Sequence, residues 1–146
     1  MKPIKVGTKI PKPREEVYAF LDVLGNHEPF TNHMLVDWSL SGPATGVGAK
    51  ARMRANAPGP ETWIDMEVVE ARAPELIMEK AVSAGGKRRT RGTYTLREAA
   101  DGGTDVAFEL AFEETPVAER VMAPLMRAWL RRGNQKAMDR LRETLA

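Results

Sequence analysis

The chain has 146 residues, of which 42% are hydrophobic and 29% charged, a composition that fits one folded domain with one core and excludes a disordered chain. Twenty-two basic residues against twenty acidic ones leave a formal charge of +2, too small an excess for a nucleic-acid-binding surface. There is no cysteine, which excludes disulfides, thiolate nucleophiles and Cys-ligated zinc.

The N-terminal stretch MKPIKVGTKIPKPREE has no apolar segment of the signal-peptide kind, and no window reaches the 18 or so apolar residues of a membrane span. A cytoplasmic protein without integral membrane association is expected. Ile4, Val6 and Ile10 alternate with Lys5 and Lys9, the period of a strand, which Pro11 and Pro13 end. In REEVYAFLDVL, Val17, Phe20, Leu21 and Leu24 recur at helical spacing behind two acidic residues, so a helix is expected up to Gly25. NHEPFTNHM, Asn26 to Met34, has no long periodicity and reads as a short helical turn or loop.

From Val36 to Glu114 the period is mostly two. One face is expected to carry Val36, Trp38 and Leu40, then Ala49, Ala51, Met53 and Ala55, then Ile64, Met66 and Val68. ELIMEKAV alternates less cleanly. Tyr94 and Leu96 follow, and Val106, Phe108, Leu110 and Phe112 stand opposite Asp105, Glu109 and Glu113. Gly85-Gly86 and Asp101-Gly102-Gly103 fall between strands as hairpin turns. The pattern predicts an antiparallel meander with one dry face.

Thr115-Pro116 reads as an N-cap and first helical residue. From Val121 an apolar stripe runs through Met122, Leu125, Met126, Trp129, Leu130, Gly133, Ala137 and Leu141 to Leu145, and Pro124 should kink or break its first turn. The opposite face carries Arg127, Arg131, Lys136, Arg140 and Arg142 and reads as solvated. A sheet with one dry face needs a cover, and this helix is the one element large enough to supply it.

The two histidines, His27 and His33, are six residues apart, a spacing that matches neither a helical nor a strand metal pair; no metal and no cofactor are expected. No GxSxG elbow accompanies them. His27 reads as a solvated loop residue and His33 as lining or capping a pocket mouth. Met53, Met66, Met78, Met122 and Met126 join Trp38, Tyr94, Phe108, Phe112 and Trp129 on predicted dry faces; methionine fills irregular space and adapts to varied partners, so these residues are candidates for a ligand-binding interior. In GKRRTRG, alternation puts Lys87, Arg89 and Arg91 on one face and Arg88 on the other. An inward Arg89 or Arg91 would need a carboxylate such as Glu79 or an acidic ligand, with Arg91 the first choice. APGPE, Ala57 to Glu61, reads as a rigid loop at the cavity mouth.

The segments PREEVYAFLDVLGNHEPFTNHM and PLMRAWLRRGNQKAMDRLRETL, with the ladder of Gly-bounded hairpins between them, resemble the START-like or SRPBCC superfamily, most closely its polyketide cyclase/dehydrase-like branch. The resemblance implies a single α+β domain over residues 1–146 with a helix-grip fold: a curved antiparallel sheet wrapped around a long C-terminal helix, with two short helices after the first strand. It implies a cavity between sheet and helix for a small hydrophobic molecule, lipid-like or polyketide-like, and puts Phe30, His33 and Met34 at the cavity rim. Fold alone does not give function. Binding without catalysis is the first reading, in a monomer or homodimer with no nucleic-acid partner. A cyclase or dehydratase using His33, Tyr94 or Arg91 is the second, and a protein-interaction module with a filled interior the third.

Overall fold

The computed structural model describes residues 1–146. Strand β1 (Ile4–Ile10) leads into α1 (Arg14–Asp22), a 3-10 turn (Leu24–His27) and the one-turn α2 (Glu28–Thr31). Six strands follow without interruption by a long helix: β2 (Leu35–Ser41), β3 (Lys50–Ala55), β4 (Trp63–Arg72), β5 (Leu76–Ser83), β6 (Arg88–Glu98) and β7 (Thr104–Glu114). The chain ends in α3 (Val117–Arg120) and α4 (Ala123–Leu145). All seven strands form one antiparallel sheet in the order β1-β7-β6-β5-β4-β3-β2. The first and second strands therefore lie at opposite edges, and α1, the 3-10 turn and α2 carry the chain from one to the other.

The dry face is the predicted one over most of its length. Ile4, Val6 and Ile10 of β1, Ala51 and Met53 of β3, Ile77 of β5, Tyr94 and Leu96 of β6, and Val106 and Phe108 of β7 are all buried. The reverse face is wet and carries cross-strand ion pairs such as Lys50–Glu67 and Arg52–Asp65 at 3.4 and 3.3 Å, exposed and individually worth little. Strand β2 departs from simple alternation. Its pairing with β3 slips between Val36 and Ser39, and Asp37 takes a positive φ of 57°. This bulge puts Leu35 opposite Ala55 and Leu40 opposite Ala51 on the inner face, and turns Val36 outward opposite Arg54. The expected Val36–Trp38–Leu40 face is thus corrected to Leu35, Trp38 and Leu40.

Pro124 lies in the first turn of α4 and separates it from the single turn of α3, as its missing N–H and fixed φ require. Helix α4 does not bury the full predicted stripe. Asn134, Ala137, Met138 and Leu141, all in its second half, are buried, whereas Met122, Leu125 and Trp129 are 51%, 67% and 42% exposed. The helix lies along β1 and against α2. Arg127 donates from Nε and Nη2 to the carbonyls of Lys2 and Pro3, both at 3.1 Å, and Gln135 donates to the carbonyl of Gly7 at 3.0 Å. The Gln135 bond occupies a carbonyl of the edge strand that would otherwise be open for pairing, and the Arg127 bonds hold the segment just before it.

On β6, Gly92 stands between buried neighbours. A Cβ there would come within 2.9 Å of the Phe108 ring and 3.2 Å of Glu79 Oε1. The inner face is closed to even one methyl at this point. Gly92→Ala is expected to lower stability by about 1–3 kcal/mol through overpacking, measured by urea unfolding. In a double-mutant cycle, Phe108→Leu should cost less in the Gly92→Ala background than in the parent; strictly additive losses would contradict a packing origin.

Candidate functional site

The register of the sheet defines an inner-face trough. One row across the strands reads Ile4, Leu110, Gly92, Glu79, Val68; the next reads Phe112, Thr90, Ala81, Met66, Ala51. Beyond it, Arg88 pairs with Ser83 and Ile64 with Met53. The second row has two small side chains at its centre, Thr90 and Ala81, and these are only partly buried, as are Phe112, Leu110, Met66 and Ile64 around them. Small residues between large ones make a hollow, and their partial exposure shows that no other element fills it. Its inner end is closed by the row of Glu79 and Gly92, where the Phe108 ring covers the glycine.

Helix α4 supplies one wall. A side chain at Gly133 would collide with the Met34 sulfur, so this side of the helix faces the β2 edge, away from the side where Arg127 and Gln135 reach β1. Trp129 and Met126 lie four and seven residues before Gly133, on the same helix face, and Met122 at the N-cap continues it. Below Gly133 this face is packed; above it the apolar side chains are open.

Glu79 is the unusual group of the interior. It is 5% exposed, its Oε2 is buried with no hydrogen-bond partner, and no ion pair reaches it. Desolvation alone pushes its carboxyl up from the ordinary 4.5 to about 8, because an isolated carboxylate in apolar surroundings is very costly. Leaving even the neutral group without a partner costs about 1–3 kcal/mol. Tyr94 lies in the next inner row. Its ring centroid is 4.7 Å from that of Phe108, and burial, with Glu79 nearby, holds its phenol well above the usual value.

The outer end of the trough is closed by Arg88. Its Nε donates to Glu119 of α3 at 3.0 Å, its Nη2 pairs with the other carboxylate oxygen, and its Nη1 donates to Ser83 Oγ at 2.8 Å. The inward arginine is thus Arg88, and its carboxylate comes from α3. Arg91 is on the outer face with Met78, Thr93 and Lys5, where a groove of about 720 Å³ runs over β5, β6 and β7. A second outer groove, about 360 Å³, lies between Trp63 and the Ser83–Gly86 turn. Arg91 and Met78 therefore do not share the trough with Met66 and Phe112.

His27 is not the solvated loop residue its sequence context suggests. His27 is 2% exposed, with Nε2 2.7 Å from the carbonyl of Leu21 and its ring against Phe30 and Tyr94. Burial lowers it to about 4, so it is a neutral core residue. Phe30 is fully buried beside it and does not reach a rim. His33 is partly exposed and tied at both ring nitrogens: Nε2 donates to the carbonyl of Gly133 at 2.8 Å, and Nδ1 accepts from Arg140 at 2.9 Å. It clasps the α2–β2 connection to α4, and neither nitrogen is left for proton transfer. Met34 is buried under Gly133, Met53 is a core residue, and Trp38 donates to its own turn at Leu35. Sequence reading passed over Glu79 as a site in its own right, although it shares the parity of Ile77 and Ala81 and so falls on the apolar face.

The folded protein keeps Glu79 protonated between pH 4.5 and about 8, whereas the unfolded chain ionises it from about 4.5 upward. The folded state binds the extra proton, so stability falls as pH rises through this window. Glu79→Gln is therefore expected to leave stability unchanged near pH 4.5 and to raise it by up to about 3 kcal/mol at pH 7, read from urea midpoints across the range. A pH-independent effect would contradict a buried, unpaired carboxyl.

Comparison with known proteins places this geometry. A family described as polyketide cyclase/dehydrase and lipid transport matches residues 4–146. No curated protein matches the sequence. Among solved structures, TTHA0849 from Thermus thermophilus is 20% identical over 99% of this chain and 97% of that one, with a TM-score of 0.74. DynU16, from the dynemicin biosynthetic locus, is 19% identical over 99% of this chain and 47% of that one, with a TM-score of 0.69. Ginseng major latex-like protein 151 from Panax ginseng is 9% identical over 99% of this chain and 97% of that one, with a TM-score of 0.71. The sheet with its long C-terminal helix is the helix-grip fold these structures share, and the chain belongs to the polyketide cyclase/dehydrase and lipid transport family.

Proposed function

We propose that this protein binds a small apolar or aromatic molecule in the trough between the sheet and the first half of α4. The carrying observation is the division of α4 at Gly133: the same helix face is packed on Met34 below that residue and left open above it, at Trp129 and Met122. A long helix that exposes Met122, Leu125 and Trp129 beside a half-filled sheet face incurs a hydrophobic cost that a bound apolar molecule removes. The family description, which joins cyclases and dehydrases to lipid transport, agrees with such a ligand. No helix of the protein is long and apolar enough to cross a membrane, so these apolar residues are not a spanning segment.

A cyclase or dehydratase working in the same trough is the second reading. The buried Glu79 beside Tyr94 favours it, since a carboxyl with its pKa raised toward neutrality is suited to proton transfer. His33 and Arg91 take no part in either reading, one tied to α4 and the other facing outward. Catalysis would require Glu79→Gln to abolish turnover while leaving ligand affinity in place.

Binding is tested by titrating an environment-sensitive apolar dye. The parent should show one saturable site with a blue-shifted emission. Leu125→Glu and Trp129→Glu, both at exposed positions, should weaken it about ten-fold or more without lowering the melting temperature. Val47→Glu, at a position 60% exposed on the β2–β3 loop, should have no effect. Equal binding by all three variants would contradict the proposal.

A further inference from the structure

We infer that Glu79 is the polar anchor of the trough and that its partner is a neutral carbonyl oxygen on an otherwise apolar, ring-shaped ligand. This rests on the trough being the binding site. Three observations select the ligand chemistry. The first is that no cation stands near the carboxyl. Arg88 is committed to Glu119 and Ser83, Arg91 is on the opposite face of the sheet, and no salt bridge includes Glu79. A carboxylate or phosphate ligand would meet an acid with no counter-charge, which excludes anionic ligands.

The second concerns what Glu79 can offer. Burial holds the carboxyl neutral near pH 7, and the titratable group in the adjoining inner row, the Tyr94 phenol, is neutral as well. A neutral acid has an O–H to donate, and its Oε2 has no partner in the protein. An incoming carbonyl supplies an acceptor without bringing a charge. An ammonium ligand would instead form a buried ion pair, with both ions stripped of water.

The third is shape. The Phe108 ring and Glu79 Oε1 fill the place above Gly92, so the open length begins past the Glu79 row, over the small and only partly buried Thr90 and Ala81. From the Glu79 row to the Ser83–Arg88 pair is four residues of strand, about 13 Å at roughly 3.3 Å each. That length suits two or three fused rings lying flat, with the carbonyl directed inward and the far edge beneath the Arg88–Glu119 pair.

Fluorene, fluorenone and 2-aminofluorene share one tricyclic frame and differ in the polar group, so their affinities for the full chain test the anchor. Fluorenone should bind the parent about ten-fold more tightly than fluorene, the effect of satisfying one buried donor, and 2-aminofluorene should show no such gain. Glu79→Leu should bring fluorenone to within about two-fold of fluorene, while Glu79→Gln, which keeps a donor, should retain most of the preference. The infrared carbonyl band of fluorenone bound to the parent should lie at lower wavenumber than in a hydrocarbon solvent, a readout that needs no variant to fold. Failure of all three compounds to bind would remove the trough reading itself. Equal binding of ketone and hydrocarbon, a preference that survives Glu79→Leu, tightest binding by the amine, or an unshifted carbonyl band would each overturn the anchor and leave the trough in place.

Discussion

The architecture depends on one constraint: a seven-stranded sheet has a whole apolar face to hide, and a single long helix to hide it with. The second half of α4 meets that need, with Ala137, Met138 and Leu141 sealed against the interior. The first half does not. Its line is fixed along β1 by the Arg127 bonds to Lys2 and Pro3 just before that strand, by the Gln135 bond to Gly7 within it and by the His33 clasp at Gly133. Held in that position, it leaves the row from Phe112 to Met66 only partly covered. The trough is therefore a consequence of where the helix is pinned, and the Arg88–Glu119 pair keeps α3 at its outer end.

Within that frame, two buried polar atoms lack a partner, Arg14 Nε at the start of α1 and Glu79 Oε2, and of the two residues only Glu79 is buried as a whole. Natural sequences tend to agree with themselves at every level, and where they break a local rule the break is commonly functional. Glu79 breaks two, as a carboxyl on the apolar parity of β5 and as an unsatisfied oxygen in the core. His27 is the instructive contrast. It too is buried and ionisable, but the carbonyl of Leu21 satisfies one ring nitrogen and two aromatic rings pack around it. The buried histidine is part of the fold, while the buried glutamate opposes it.

Much of the fold was legible because strands and helices impose simple periods. The parity of Ile4, Val6 and Ile10, the hairpin glycines, and Pro124 as the break before α4 all carried over into the structure. The failures have specific physical causes. The bulge in β2 turns Val36 outward through the backbone of Asp37, and local alternation has no signal for it. The α4 stripe is real, but a helical period says which residues share a face and not whether that face finds a neighbour. His27 reads as solvated in the sequence because its burial depends on Tyr94, distant in sequence, and the tie of His33 to Gly133 and Arg140 is equally non-local. Glu79 was readable: the uneven alternation of ELIMEKAV is that carboxyl on the inner face.

The eight methionines of the chain allow a direct test of where a ligand sits. Methyl-carbon-labelled methionine gives one NMR signal per residue, and titration with fluorenone reports on each position at once. Ligand in the trough should shift the signals of Met66, Met122 and Met126 and leave Met78, in the outer groove, unmoved. Saturable shifts at Met78 with Met66 and Met126 unchanged would place the ligand on the outer face and contradict the trough as the binding site.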